Sequence, residues 1–256
     1  MKLRLVSGRR FDNSLTQEER DKAIQETREL HQQLEALRKE KYNAAILDFM
    51  KDRPFSKRMI DELWGISIYD HTPAIVEKAR EIFKKIPQEA MNEPQVVETK
   101  AKLNADRVQV GEQMKDFTLF DREGNKHQLS EFKGKYTILE FTFVGCGACR
   151  FIKPFVEEFY KRNKDKAEVI AIYHDWKSSW IKEGQEHKVS YHEWNDNTRS
   201  EEPVAAYDIK GYPTFVIIDP NGKILDIMPS PDGLLKALEY IPDAEVEKKY
   251  KEALKS

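Results

Sequence analysis

Cysteine is almost absent. The 256 residues hold 2, too few for a disulfide-stapled scaffold or a four-thiolate zinc site. Cys146 and Cys149 are therefore either incidental core residues or one reactive pair. Long apolar runs are missing too: no stretch approaches the ~18 consecutive apolar residues of a spanning helix, so no membrane span is expected. An excess of charge of either sign is also lacking. With 43 Lys and Arg against 45 Asp and Glu the formal charge is -2, which argues against nucleic acid or an anionic membrane as partner, since both demand clustered positive charge. Lys2, Arg4, Arg9 and Arg10 give a basic start, but Phe11-Asp12-Asn13-Ser14 follows where an export signal would place an apolar stretch, so no signal peptide is visible in this chain. There is no low-complexity tract and no repeat of 20–50 residues. What is present is a globular composition, 39% hydrophobic and 34% charged, in a chain long enough to bury a core in one or two domains.

The chain reads as three parts. Residues 1–107 form a helical N-terminal region. Thr16 followed by Glu19 is a capping box, and Leu30, Leu34 and Leu37 fall on one helical face. A second helix runs through Ile60, Leu63 and Trp64. A third starts at Thr72-Pro73 and carries Ile75, Ala79, Ile82 and Ile86, and a fourth runs from Pro94 to near Arg107. No His, Cys or carboxylate cluster there has ligand or catalytic spacing, so the region reads as a scaffold or docking module.

Residues 108–245 change period. Phe117 and Leu119 suggest a strand before the turn Asp121-Arg122-Glu123-Gly124. Tyr136 to Val144 is apolar almost throughout, as expected of a central strand covered on both faces. Phe151, Ile152, Phe155, Val156 and Phe159 then show helical spacing. Glu168 to Tyr173 and Thr214 to Ile218 are further strands, Asp219-Pro220-Asn221-Gly222 is a turn, Ile224 to Met228 returns antiparallel, and a last helix spans Asp232 to Tyr240. The stretch holding Trp176, Trp180 and Trp194 reads as polar and irregular. Residues 246–256 read as a C-terminal tail. The fold class is α/β, a mixed central sheet flanked by helices and preceded by an all-α region.

Cys146 falls where the central strand ends and a helix begins. The free N–H groups and dipole of a helix N-terminus favour a thiolate. Cys149, one turn on, would resolve a mixed disulfide formed at Cys146. The alternatives are two incidental buried thiols, or half a zinc knuckle that would need two of the 6 scattered histidines. Glu140, six residues before Cys146 in the apolar strand, should have a raised pKa and could exchange a proton with Cys149; otherwise it is an edge residue reaching solvent. Arg150 and Lys153 read as solvated helix charges, with thiolate stabilisation as the other reading. Pro154 would kink the helix. His174, His187 and His192 are lone histidines in the polar stretch and read as surface residues.

Residues 108–241 resemble a thioredoxin-fold domain, specifically the TlpA-like thiol-disulfide oxidoreductases of bacterial cell envelopes in the AhpC/TSA-redoxin superfamily. The likeness lies in Val110-Gly111, Phe132-Lys133-Gly134-Lys135, Phe141 to Pro154 around the CGAC motif, Gly211-Tyr212-Pro213-Thr214, and Ile218 to Lys223. A long helical segment ahead of such a domain is similar to envelope proteins of Bacteroides-type bacteria. The resemblance implies a buried acid at the offset of Glu140, a cis Pro213 packed against the cysteine pair, and Tyr212 bordering a substrate groove. It implies exchange of dithiol and disulfide with protein substrates, most simply as a reductase, with no organic cofactor or metal, a redox partner protein that recycles the pair, and a place in the envelope or periplasm, the cytoplasm being the alternative. This sequence departs from the family at Gly145, where tryptophan is usual, and at Ala148, where proline is common. A redox-inactive adaptor working through the helical region is a second reading. A thiol peroxidase is a third, and it is weakened because Thr142 stands four residues before Cys146 with no proline nearby.

Overall fold

The computed structural model describes residues 16–37, 41–186, 188–197 and 201–254. The basic start and His187 lie outside them. The chain divides into two compact units, Met1–Leu103 and Asn104–Ser256; the sequence reading places that boundary between residues 107 and 108.

The first unit holds α1 (Gln17–Leu37), α2 (Asn43–Lys51), α3 (Lys57–Tyr69), α4 (Pro73–Phe83) and α5 (Pro94–Asn104). The capping box forms: the Thr16 N–H donates to Glu19 Oε2 at 2.8 Å and the Glu19 N–H to Thr16 Oγ1 at 3.3 Å. The leucine face expected on α1 is not the buried one. Leu34 and Leu37 are 45% and 54% exposed, whereas Ala23 and Thr27 are buried. The core of the unit comes instead from Leu47 and Met50 of α2, Ile60 and Leu63 of α3, Ile75, Ala79 and Ile82 of α4, and Val96 and Leu103 of α5. Helix α2 is too short for its period to stand out in the sequence. Proline occupies the first turn of α4 as expected, but the Thr72 side chain caps nothing. Asp70 instead ties down the residue before the helix, accepting the Thr72 N–H on Oδ1 at 3.1 Å and the Asn43 amide on Oδ2 at 2.7 Å. Among the described residues no helix is long and apolar enough to cross a membrane.

The second unit is built on a sheet of seven strands among the described residues, in the order β2-β1-β5-β4-β3-β6-β7. The strands are β1 (Leu119–Phe120), β2 (Lys126–His127), β3 (Tyr136–Thr142), β4 (Ala167–Tyr173), β5 (His192–Asn195), β6 (Thr214–Ile218) and β7 (Ile224–Met228). β3 runs parallel to β4 and antiparallel to β6, so it is central, as its almost wholly apolar run implies. Side chains alternate between the faces of a strand. Ile138, with Val169, Ala171, Phe215 and Ile217, packs on α6 (Gly147–Asn163) through Ile152, Val156 and Phe159. Leu139 and Phe141, with Ile170, Ile172, Val216 and Ile218, face Leu119, Leu129, Trp194 and Tyr207 on the other side. Glu140 shares the parity of Ile138, so the same alternation turns it toward the cysteine-bearing helix.

Besides α2 and β2, further elements escape the sequence reading. The polar tryptophan stretch contains α7 (Lys177–Glu186) and β5, and α8 (Glu202–Ala206) follows. The expected tail is also corrected: after α9 (Gly233–Tyr240), α10 (Ala244–Ala253) runs across the 245/246 boundary. Asp243 caps it by accepting the N–H groups of Glu245 and Val246, and Val246 and Tyr250 are buried in the α6 core. Helix α6 runs through Pro154. At the start of α9, a Cβ on Gly233 would lie 2.5 Å from the Cβ of fully buried Phe215. Gly233→Ala should therefore destabilise the unit by about 1–3 kcal/mol through overpacking. Urea unfolding would show a lowered midpoint at unchanged slope; an unchanged midpoint would count against the contact.

Candidate active site

β3 delivers the chain to the site at Thr142, and Phe143 to Gly145 turn it into α6. The turn is pinned by the Val144 N–H, which donates to Asp175 Oδ2 at 2.8 Å. Gly145 has φ +87° with open space where a Cβ would stand, so the constraint lies in the backbone. That left-handed conformation favours glycine, and it accounts for glycine here instead of the tryptophan usual in the resembling family. Cys146 is the N-cap of α6 and is disulfide-bonded to Cys149, with S–S 2.07 Å. The Cys149 N–H donates to Cys146 Sγ at 3.1 Å. Of the two sulfurs, the one at position 146 thus takes the place of a capping oxygen and meets the positive end of the helix.

Glu140 is 2% exposed, in the middle of a central strand, so its carboxyl does not reach solvent at an edge. Burial pushes its pKa up to about 8, with Lys153 opposing the rise and Glu193 adding to it. It lines a narrow cleft with Cys146, Cys149, Lys153, Tyr173 and Tyr191. A carboxylic acid that titrates near neutral pH beside a dithiol can give or take a proton as a disulfide opens or closes.

Lys153 is not a solvated helix charge. Its side chain is 17% exposed, and its Nζ lies 3.3 Å from both Tyr173 Oη and Glu193 Oε1. The Tyr173 hydroxyl donates to Glu193 Oε1 at 2.9 Å, and Arg122 reaches Glu193 Oε2 through Nη2 at 2.9 Å and Nε at 3.1 Å. Burial, followed by the nearby Glu193 carboxylate, raises the Tyr173 pKa well above its ordinary value. This network is invisible in the sequence because its members come from α6, β4, β5 and the β1–β2 turn. Arg150, in contrast, is exposed.

The sheet register brings the second loop to the cysteines. Thr214 pairs with Phe141, so Pro213 arrives at the end of β3 where the cysteine turn begins. The Tyr212–Pro213 bond is cis and Pro213 is buried. The Tyr212 ring meets Phe143 edge-on, with centroids 5.2 Å apart. His174 is joined to Tyr212 at 2.7 Å and is not a lone surface residue. His192 lies instead against Glu168, at 3.2 Å. Among the described residues no three His, Cys, Asp or Glu gather as a metal site would require.

The model of the AhpC/TSA family matches residues 110–227. The thioredoxin-like protein YneN of Bacillus subtilis is 31% identical over 121 residues, spanning 47% of this chain and 71% of that protein. The thiol-disulfide oxidoreductase ResA of Geobacillus kaustophilus is 30% identical over 123 residues, spanning 47% and 70%. This chain belongs to the thioredoxin-like thiol-disulfide oxidoreductases. Among solved structures it is similar to the thioredoxin domain of a thiol-disulfide oxidoreductase from Bacteroides vulgatus, 27% identical, covering 53% of this chain and 99% of that one with a TM-score of 0.48. Membership makes the chain an oxidoreductase and favours exchange chemistry over the adaptor and peroxidase readings. The Cys146–Cys149 pair at the start of α6 is consistent with a CxxC redox site.

Proposed function

We propose that the protein reduces disulfides in protein substrates, with Cys146 as attacking and Cys149 as resolving cysteine. The observation that carries this assignment is the Cys149 N–H on Cys146 Sγ: after reduction, that bond and the helix end stabilise a thiolate at position 146 and at no equivalent place for 149. The Cys146 thiolate attacks one substrate sulfur, the substrate disulfide breaks, and the departing sulfur takes up a proton. Glu140, as carboxylate, accepts the Cys149 proton, and the Cys149 sulfur attacks Cys146 Sγ. This releases the second substrate thiol and leaves the enzyme disulfide. A partner dithiol protein then supplies two electrons and two protons to reopen it. Tyr212 and Pro213 form the groove wall along which an extended substrate segment lies. No organic cofactor or metal enters these steps. The compartment we favour is the cell envelope, on the TlpA-like resemblance of residues 108–241.

Cys149→Ser should accumulate a mixed disulfide between Cys146 and a substrate protein, visible as a band on non-reducing gels that dithiothreitol removes. Cys146→Ser should not. Trapping by Cys146→Ser and not by Cys149→Ser would reverse the assignment. A reduction potential near about -270 mV supports the reductase direction and one near about -120 mV overturns it.

A further inference from the structure

His174 and Glu201 form a chain ending at the groove, and neither has a part in the exchange steps. The His174 N–H donates to Thr142 O at 2.9 Å, which fixes the residue at the end of β4 beside the end of β3. Its Nε2 lies 3.0 Å from Glu201 Oε1, and its Nδ1 lies 2.7 Å from the Tyr212 hydroxyl. Both side chains are nearly enclosed, at 12% and 9% exposure. Among the described residues Glu201 Oε2 is buried without a hydrogen-bond partner, and the carboxyl's hydrogen-bonding partner there is His174. The imidazole also lies 6.1 Å from the Tyr212 ring and within 19° of its plane.

The order of donors follows from the chemistry of the groups. In its carboxylate form Glu201 only accepts, so Nε2 must carry the hydrogen. In the neutral ring Nδ1 then has the lone pair, and the Tyr212 hydroxyl donates to it. A carboxylate that sets the tautomer of an imidazole, which in turn holds a third group, is a recurrent way of fixing a side chain in one orientation. Tyr212 is held by His174, through this hydrogen bond and the near-parallel imidazole, and by the edge contact with Phe143. It immediately precedes Pro213.

We propose that Glu201 and His174 are positioning residues that lock Tyr212 for substrate binding. The groove then offers a fixed aromatic wall, Tyr212 with the 39% exposed Phe143, and a hydroxyl oxygen whose hydrogen is already committed. Such a wall suits an extended polypeptide segment that brings an apolar side chain and an N–H donor next to its disulfide. This rests on the reading of Tyr212 and Pro213 as the groove wall.

The test is steady-state reduction of insulin by the full chain, with KM and kcat separated and the potential of the cysteine pair measured for each variant. His174→Phe, Glu201→Gln and Tyr212→Phe should each raise KM about tenfold, the worth of one hydrogen bond of about 1.4 kcal/mol, with kcat within about twofold and the potential unchanged. The double variant His174→Phe with Tyr212→Phe should be no worse than either single one, because both remove the same interaction. KM values within twofold of the parent for both His174→Phe and Glu201→Gln would overturn the proposal. So would losses confined to kcat with a shifted potential. Tyr212→Ala separates the two levels: if it leaves KM unchanged the groove reading itself fails, whereas a raised KM in Tyr212→Ala alone sinks only the role of His174 and Glu201.

Discussion

Cys146→Ser should lose insulin-reducing activity by about 10³-fold or more, because a nucleophile and its partner act as a unit and removing one removes the covalent route. Serine keeps the size and the cap but not the chemistry. A hydroxyl accepts the Cys149 N–H as well as sulfur does, so α6 keeps its start, but it ionises far above neutral pH and does not attack a disulfide. Cys149 cannot substitute for it. Both cysteines are 5% exposed, so the difference lies in the cap: the Cys149 N–H serves the Cys146 sulfur, and no backbone N–H among those described serves that of Cys149. The measurement is insulin turbidity with excess dithiol, corrected for the uncatalysed rate, and equal activity in the two proteins would sink the exchange mechanism.

Glu140→Gln should raise the stability of the oxidised protein at pH 7 by about 3 kcal/mol. The sign follows from linkage. Unfolded, the carboxyl ionises near its ordinary 4.5; folded, burial holds it protonated until about 8. Below pH 4.5 both states are protonated and the group has no effect. Between 4.5 and 8 the unfolded chain releases a proton that the folded one retains, so stability falls by about 1.36 kcal/mol per pH unit. Above pH 8 both states are ionised and the loss is complete. Glutamine has nothing to titrate, and its curve should be flat over the window in which the parent declines. Urea unfolding at pH 5, 6, 7 and 8 reads the difference directly, and parallel curves would refute a buried, proton-holding Glu140. The same variant should release the mixed disulfide about 10²-fold more slowly, the usual size of one general base.

Why some of this was legible in the sequence and some not comes down to where the chemistry was local. β3 announces itself because a strand covered on both faces needs an unbroken apolar run, and the CGAC motif at its end could be placed on a helix N-terminus without a structure. Glu140 stood out because a single carboxylate in such a run is either costly to bury or an edge residue reaching solvent, and burial in the central strand settles it. β5 failed to stand out for the opposite reason. Of its four residues only Trp194 and Asn195 are buried, and Glu193 is there to serve Lys153, Tyr173 and Arg122, so its pattern is that of a polar loop. Lys153 looks like any cation on an amphipathic helix until β4 and β5 bring a phenol and a carboxylate to it. His174, Tyr212 and Glu201 are spread along the chain, and their partnership is created entirely by the sheet. Helix α10 carries just two buried side chains four residues apart, Val246 and Tyr250, among charged neighbours, which is also what a solvated tail looks like.

That last helix makes the end of the chain a brace for the redox centre. The ring of Tyr250 lies 6.2 Å from Phe151 and 5.3 Å from Phe155, about one and two turns along α6 from the cysteines. Around this apolar hub, Arg162 holds Asp243 at 2.8 Å and Glu245 at 2.9 Å, and Lys249 holds Glu158 at 2.6 Å. The ionic rim is partly exposed and softens with salt, but the aromatic hub does not. A tag, a cut or a mutation that peels α10 away would uncover the flank of the helix that presents Cys146, so damage near residue 250 would be felt as altered thiol chemistry more than a hundred residues upstream.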